Sequence, residues 1–236
     1  MLKQQQILPL IFAETERLQD FIGAQAQALL IPSLQDWARP ASSMTVCLYG
    51  ASGSGRTHLL RAAAGCAAQG GASVQYVSLR DHELRPEVLE GLEVNTHICL
   101  DDLEAVLGRA DWEWSLFALC NRMRTSGHAL LIAGRDLPRE SCTLHDLGSR
   151  LMAGLVFRIP ALQEAELRQL IRRLAAHQGW ALQEEVIEYL LVHLPRQAAA
   201  IQHQLREIDR YALQHQRPVT LHLVREVLRR RGEEPA

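Results

Sequence analysis

One stretch constrains the fold more than any other: Tyr49-Gly50-Ala51-Ser52-Gly53-Ser54-Gly55-Arg56-Thr57-His58-Leu59-Leu60. The apolar run Thr45–Tyr49 (TVCLY) precedes it and reads as a buried strand, and a helical pattern over 57–69 follows. A glycine-rich turn between strand and helix lets successive backbone N–H groups converge on an anion, and the helix start adds partial positive charge. The spacing fits G-x-x-x-x-G-K-[ST], with Arg56 where that pattern has Lys. Gly50, Ser52, Gly53, Ser54, Gly55, Arg56, Thr57 and His58 are therefore expected to line a nucleotide phosphate site, with Thr57 beside a Mg²⁺ ion. An ordinary glycine-rich turn would share the glycines but not the full spacing, the flanking elements and Thr57 together. Arg keeps the charge of Lys but is planar and bulkier. The expectation is tight diphosphate binding with slow or absent turnover.

The pattern around this loop predicts the fold class. Ser73–Leu79, Thr96–Asp101, His128–Ala133 and Leu155–Ile159 read as four more strands, and 57–69 and 111–126 as helices between them. Strands alternating with helices give a three-layer α/β domain on a five-stranded parallel sheet. Residues 17–38 carry a helical pattern ending near Trp37, and Arg39–Ser43 reads as a loop. After Pro160 the pattern turns wholly helical, over 163–178, 183–194, 197–215 and 220–231. The expected division is a tail over 1–16, an α/β nucleotide-binding domain over 17–160 and a small all-helical domain over 161–236.

A second segment, Ile98-Cys99-Leu100-Asp101-Asp102-Leu103-Glu104, is an apolar strand ending in paired carboxylates. Asp101 is expected to hold the Mg²⁺, directly or through water, and Asp102 to polarise an attacking water. A strand end followed by a helix-capping Asp would look similar in isolation.

Composition narrows the function classes. Lys plus Arg is 25 against 27 Asp plus Glu, a formal charge of −2, which argues against holding nucleic acid through a broad basic surface. The run Arg225, Arg229, Arg230 and Arg231 precedes Glu233 and Glu234 and reads as a solvated helix end. No apolar run is long enough for a membrane span, and the N-terminus makes a poor signal peptide. The five cysteines form no C-x-x-C pair, which points to a reduced, cytoplasmic protein. The histidines lack zinc-ligand spacing, and no G-x-S-x-G nucleophile motif appears.

Taken in order, the motifs resemble the DnaA group of AAA+ proteins. Gly50–Leu60 is similar to the group's phosphate loop and Ile98–Glu104 to its second nucleotide motif. Leu130-Leu131-Ile132-Ala133-Gly134 is similar to the sensor 1 strand, and Asp146-Leu147-Gly148-Ser149-Arg150-Leu151 to the segment D-L-x-S-R-L that carries an arginine finger. Pro195-Arg196-Gln197-Ala198 resembles the start of the lid helix that bears the sensor 2 arginine. The resemblance implies that the helical domain is a lid, that Arg196 reaches a bound phosphate, and that Phe21, Ile22 and Gly23 pack the base. Arg135 departs from the acid usual after the sensor 1 strand.

The resemblance points further, to regulators rather than initiators within the group. Arg56 stands in the Lys position, the sequence ends at Ala236 after the lid with no initiator DNA-binding domain expected, and the tail holds Gln5-Gln6-Ile7-Leu8-Pro9-Leu10. That tail resembles the clamp-binding hexapeptide Q-L-x-L-P-L, with Gln6 replacing the first Leu. Pro9 disfavours helix at Leu8, leaving Leu8 and Leu10 to enter an apolar groove while Gln5 bonds at its rim. As bare sequence the same residues could fold back over the core. The resemblance implies an ADP-bound negative regulator of replication initiation. It would bind the DNA-loaded sliding clamp, the β subunit of DNA polymerase III, and stimulate hydrolysis of ATP held by DnaA. Arg150 would act in trans as the arginine finger, although its spacing equally permits an ion pair with Asp146. DNA would be reached only through the clamp, and a homo-oligomer is left open. The competing readings are a DnaC-like helicase loader with its own ATPase cycle and a DNA-binding initiator fragment.

Overall fold

The computed structural model describes residues 17–23 and 28–232. The expected clamp-binding-like peptide, with Gln5, Gln6, Leu8, Pro9 and Leu10, lies outside those residues. The chain divides into an α/β unit, Met1–Ala51 with Gly55–Pro160, and a helical unit, Ala161–Ala236 with Ser52–Ser54.

In the α/β unit the elements run α1 (Leu30–Trp37), β1 (Thr45–Tyr49), α2 (Arg56–Gln69), β2 (Val74–Ser78), β3 (His97–Asp101), α3 (Ala110–Ser126), β4 (Ala129–Gly134), α4 (His145–Leu151) and β5 (Leu155–Arg158). Short 3-10 turns connect several of them. The five strands form one sheet in the order β2-β3-β4-β1-β5, and every neighbouring pair is parallel.

Strands β3 and β4 are buried along their whole length, because helices cover both faces of the sheet. Their side chains alternate between two cores. Cys99, Leu131 and Ala133 pack with Leu59, Leu60 and Ala63 of α2 and with Trp37 of α1. Ile98, Leu100, Leu130 and Ile132 pack with Trp112, Leu116 and Leu119 of α3. Small residues at 62, 63, 64 and 67 let α2 lie close on the sheet. Burial in this core pushes the Cys47 thiol up to about 12 and the Cys99 thiol well above its usual range, so both behave as inert apolar groups. His97 is also buried. Burial lowers its pKa, and its ring nitrogens lie 3.0 Å from Thr96 Oγ1 and 2.9 Å from the Trp37 carbonyl.

The expected helical stretch over 17–38 is only partly helical. Leu18–Asp20 is a single 3-10 turn, and α1 begins at Leu30. Between them Phe21 is extended, with φ −67° and ψ 129°, and its ring packs against the glycine-rich loop. That tertiary contact outweighs the local helical pattern. Pro32 falls in the first turn of α1, where its missing N–H has no intrahelical partner to lose.

The helical unit holds α5 (Glu164–His177), α6 (Glu184–His193), α7 (Ala198–Gln214) and α8 (Leu221–Gly232). Its core is the apolar stripe of each: Leu167 and Ile171; Val186, Ile187 and Leu190; Ile201, Leu205 and Ile208; Leu223 and Val224. The Glu166 carboxylate accepts the backbone N–H of Gln163 and closes a capping box at the start of α5. No helix among the described residues is long and apolar enough to cross a membrane.

Gly154, just before β5, lies close against the backbone of Thr45. A Cβ there would fall 2.0 Å from the Thr45 carbonyl oxygen. Gly154→Ala is therefore expected to cost about 1–3 kcal/mol or more, as overpacking does. A urea unfolding midpoint equal to that of the wild type would contradict this close approach.

Candidate functional site

The glycine-rich loop joins β1 to α2. Gly53 and Gly55 both have left-handed backbones, with φ 79° and 95°, which is why glycine is required at these two positions. A Cβ at Gly55 would lie 2.8 Å from the Phe21 ring, so the absence of a side chain also lets Phe21 pack on the loop. Phe21 in turn stacks near His58, with ring centroids 6.3 Å apart. Phe21, Ile22 and Gly23 are all buried, and Phe21 borders the loop. The Gly50 N–H donates to the carbonyls of Gly134 and Arg135, fixing the start of the loop to the end of β4.

Two observations fit a phosphate ligand. The start of α2 presents helix N–H groups at the loop, and Gly55, its N-cap, offers no side-chain cap. Ser54 is buried, and its Oγ has no hydrogen-bond partner. A buried hydroxyl left unpaired is costly unless a ligand or water completes it. Thr57 stands in the first turn of α2 and is half-buried.

Arg56 is the buried cation of this loop, 7% exposed. Its guanidinium forks onto the Glu104 carboxylate, Nη1 to Oε2 at 3.3 Å and Nη2 to Oε1 at 3.2 Å. Oε2 also accepts the backbone N–H of Arg135 at 2.9 Å, and Arg135 Nε lies 4.0 Å from Oε1. Burial would raise the pKa of Glu104, but the bonds from Arg56 and from backbone N–H groups hold it below the usual carboxylate value. Glu104 belongs to the acidic segment by sequence, yet only its position across the end of β4 reveals it as the partner of Arg56.

Asp101 is 1% exposed. Its Oδ2 accepts the Tyr76 hydroxyl at 2.8 Å and its Oδ1 accepts the Asp102 N–H at 2.9 Å. Burial and the neighbouring Asp101 carboxylate push the Tyr76 phenol well up, so it stays a donor. Asp102 takes a left-handed backbone, φ 59°, and its carboxylate accepts Ser78 Oγ at 3.0 Å and Arg80 Nη2 at 2.8 Å. Both partners come from β2 and its end, on the side of β3 away from β1. No group of three or more His, Cys, Asp or Glu able to hold a metal occurs among the described residues. Mg²⁺ held jointly by Thr57, Asp101 and a nucleotide would not need such a group.

Arg150 lies in the last turn of α4 and is half-buried. It forms no ion pair with Asp146 or with any other described residue. Burial pushes the nearby Cys120 thiol up to about 12, while the Arg150 charge pulls the other way. Arg196, in the helical unit, is exposed and lies 3.7 Å from the Glu164 carboxylate.

The helix that carries Arg150 is anchored by a residue with no motif of its own. Glu113 of α3 is fully buried. It accepts the N–H groups of Gly108, Thr143 and Leu144 at 2.7, 3.0 and 2.7 Å, and the Thr143 hydroxyl at 2.6 Å. Leu144 is the N-cap of α4. Burial alone would raise the pKa of Glu113, and these four donors instead hold it below the ordinary value.

Comparison with known proteins completes the picture. Residues 164–228 match the family model described as Hda, lid domain. Domain III of the Thermotoga maritima replication initiation protein DnaA is similar with a TM-score of 0.78 and 18% identity, over 92% of this chain and 97% of that one. AMPPCP-bound DnaA from Aquifex aeolicus is similar at 0.70 and 22%, over 84% of this chain and 66% of that one. The chain thus spans just under two thirds of that DnaA. The Thermotoga maritima RuvB Holliday junction branch migration motor follows at 0.67 and 14%, over 92% and 72%. These likenesses show the fold class: a five-stranded parallel α/β unit followed by a helical unit, as in DnaA domain III.

Glu113→Gln preserves shape but replaces one acceptor oxygen with an NH2 group, a donor facing donors. It is expected to cost about 2–4 kcal/mol, with the lost midpoint read in urea. Because the folded-state pKa is depressed, the contribution of Glu113 is complete above its unfolded value of ~4.3 and is lost as pH falls through the folded value. Wild-type stability should therefore fall more steeply than the variant's below pH ~4. Parallel curves would remove Glu113 from this account.

Proposed function

We propose that this chain, which has the fold of DnaA domain III and whose residues 164–228 match the Hda lid domain model, is a DnaA-related AAA+ negative regulator of replication initiation rather than an energy-using ATPase. In this reading the ADP-bound form binds the DNA-loaded sliding clamp through Gln5, Leu8, Pro9 and Leu10. It then meets ATP-bound DnaA and presents Arg150 to that ATP. ADP and Mg²⁺ would be held by the loop, Thr57 and Asp101, and Arg196 would report on the phosphates from the lid. The protein would act in the cytoplasm, reaching the nucleoid through the clamp.

The observation that supports this reading is the contrast between two arginines. Arg56, where a hydrolysing enzyme needs a cation on the phosphates, is committed to Glu104. Arg150 has no ion-pair partner among the described residues. An arginine supplied in trans can raise phosphoryl-transfer rates by about 10³–10⁵.

The test is a reconstitution with purified protein, ADP, DNA-loaded clamp and DnaA bearing labelled ATP. Labelled ADP should form only when clamp and DnaA are both present. Arg150→Ala should retain nucleotide and clamp binding and lose stimulation by at least about 10². The protein's own turnover should stay below ~1 s⁻¹, the low end of enzyme rates. Equal turnover without DnaA would favour the helicase-loader reading. Pull-down by the clamp should disappear in the double variant Leu8→Ala with Leu10→Ala, and undiminished retention would refute the tail assignment.

A further inference from the structure

The Arg56–Glu104 pair has a consequence for which nucleotide the loop prefers. The cation of a phosphate loop reaches the β- and γ-phosphates, and its charge is what a third phosphate gains from. Here that cation is already neutralised. Both guanidinium nitrogens of its fork face the two oxygens of one carboxylate, in a setting where Arg56 is 7% and Glu104 16% exposed. The carboxylate cannot readily swing away, because Oε2 is also bonded to the Arg135 N–H.

Resting on the reading that the loop binds nucleotide, we propose that Glu104 is a specificity-determining residue, which holds Arg56 and biases the site toward nucleoside diphosphates over triphosphates. A diphosphate can be satisfied by loop N–H groups, the α2 N-terminus and the Ser54 hydroxyl while the ion pair stays intact. A triphosphate brings further negative charge toward a cation whose field Glu104 cancels. It must either draw Arg56 off a buried carboxylate or go without it. In weakly screened surroundings one unit charge a few ångströms away is worth more than a tenfold change in affinity.

The experiment is isothermal titration of the full chain with ADP and with a non-hydrolysable ATP analogue, both with Mg²⁺. The wild type should bind ADP more tightly. Glu104→Gln keeps the shape of the side chain and removes its charge, and should shift the affinity ratio toward the triphosphate by at least about tenfold. Arg56→Lys, which cannot form the fork, should shift it in the same direction by a smaller factor. In an Arg56→Gln background, adding Glu104→Gln should leave the ratio unchanged, since Glu104 acts through Arg56. Thermal unfolding of each variant checks that it folds, and Arg56→Lys carries the test alone if Glu104→Gln does not. A wild-type ratio near one, or ratios unmoved in the folded variants, overturns the proposal while the nucleotide site stands. A wild type that binds neither nucleotide overturns both.

Discussion

The ion pair between Arg56 and Glu104 is the contact on which the candidate site is organised. It joins residues 48 positions apart and ties together the ends of three strands. Arg56 follows β1, Glu104 follows β3, and the backbone of Arg135, just past β4, donates to the same carboxylate. Gly50 closes the set by donating to the carbonyls of Gly134 and Arg135. With β4 lying between β3 and β1, the pair bridges over its end. Removing one partner from a buried pair typically costs roughly 3–5 kcal/mol, because the other is left charged and dry. The bond is thus a constraint on the loop as well as on the charge it offers a ligand.

Much of the fold was legible because burial is so uneven. Strands β3 and β4 are covered on both faces, so they read as unbroken apolar runs, and their boundaries fall within a residue of expectation. The amphipathic stripes of α5 to α8 are equally plain, each presenting one apolar face to a small core. Residues 17–38 depart from their helical sequence pattern for a physical reason. Their helical periodicity is real from Leu30 onward, but Phe21 is held extended by the loop it packs on, and no local pattern records that contact.

The site was legible in a different measure. The left-handed backbones at Gly53 and Gly55 follow from residue type and spacing. What spacing could not supply is which carboxylate meets which cation. Asp101 and Asp102 are adjacent in sequence, yet Asp102 turns toward Ser78 and Arg80, and Glu104 is the acid that reaches Arg56. Glu113 carried no motif at all. A Glu in an acidic helical segment looks solvated, and only burial against Thr143 and Leu144 shows it anchoring the next helix.

These two carboxylates give opposite treatment to two arginines. Glu104 spends its charge on Arg56 and removes a cation from the chain's own loop. Glu113 spends its charge on backbone and hydroxyl donors, and so holds the start of α4 without neutralising Arg150 at its end. A carboxylate placed beside Arg150 would fix it equally well and cancel the field it could present to another nucleotide. Anchoring the helix through N–H groups instead keeps the guanidinium positioned and charged. The same acid chemistry thereby pairs one arginine and leaves the other without an ion-pair partner among the described residues, the contrast on which the proposed function rests.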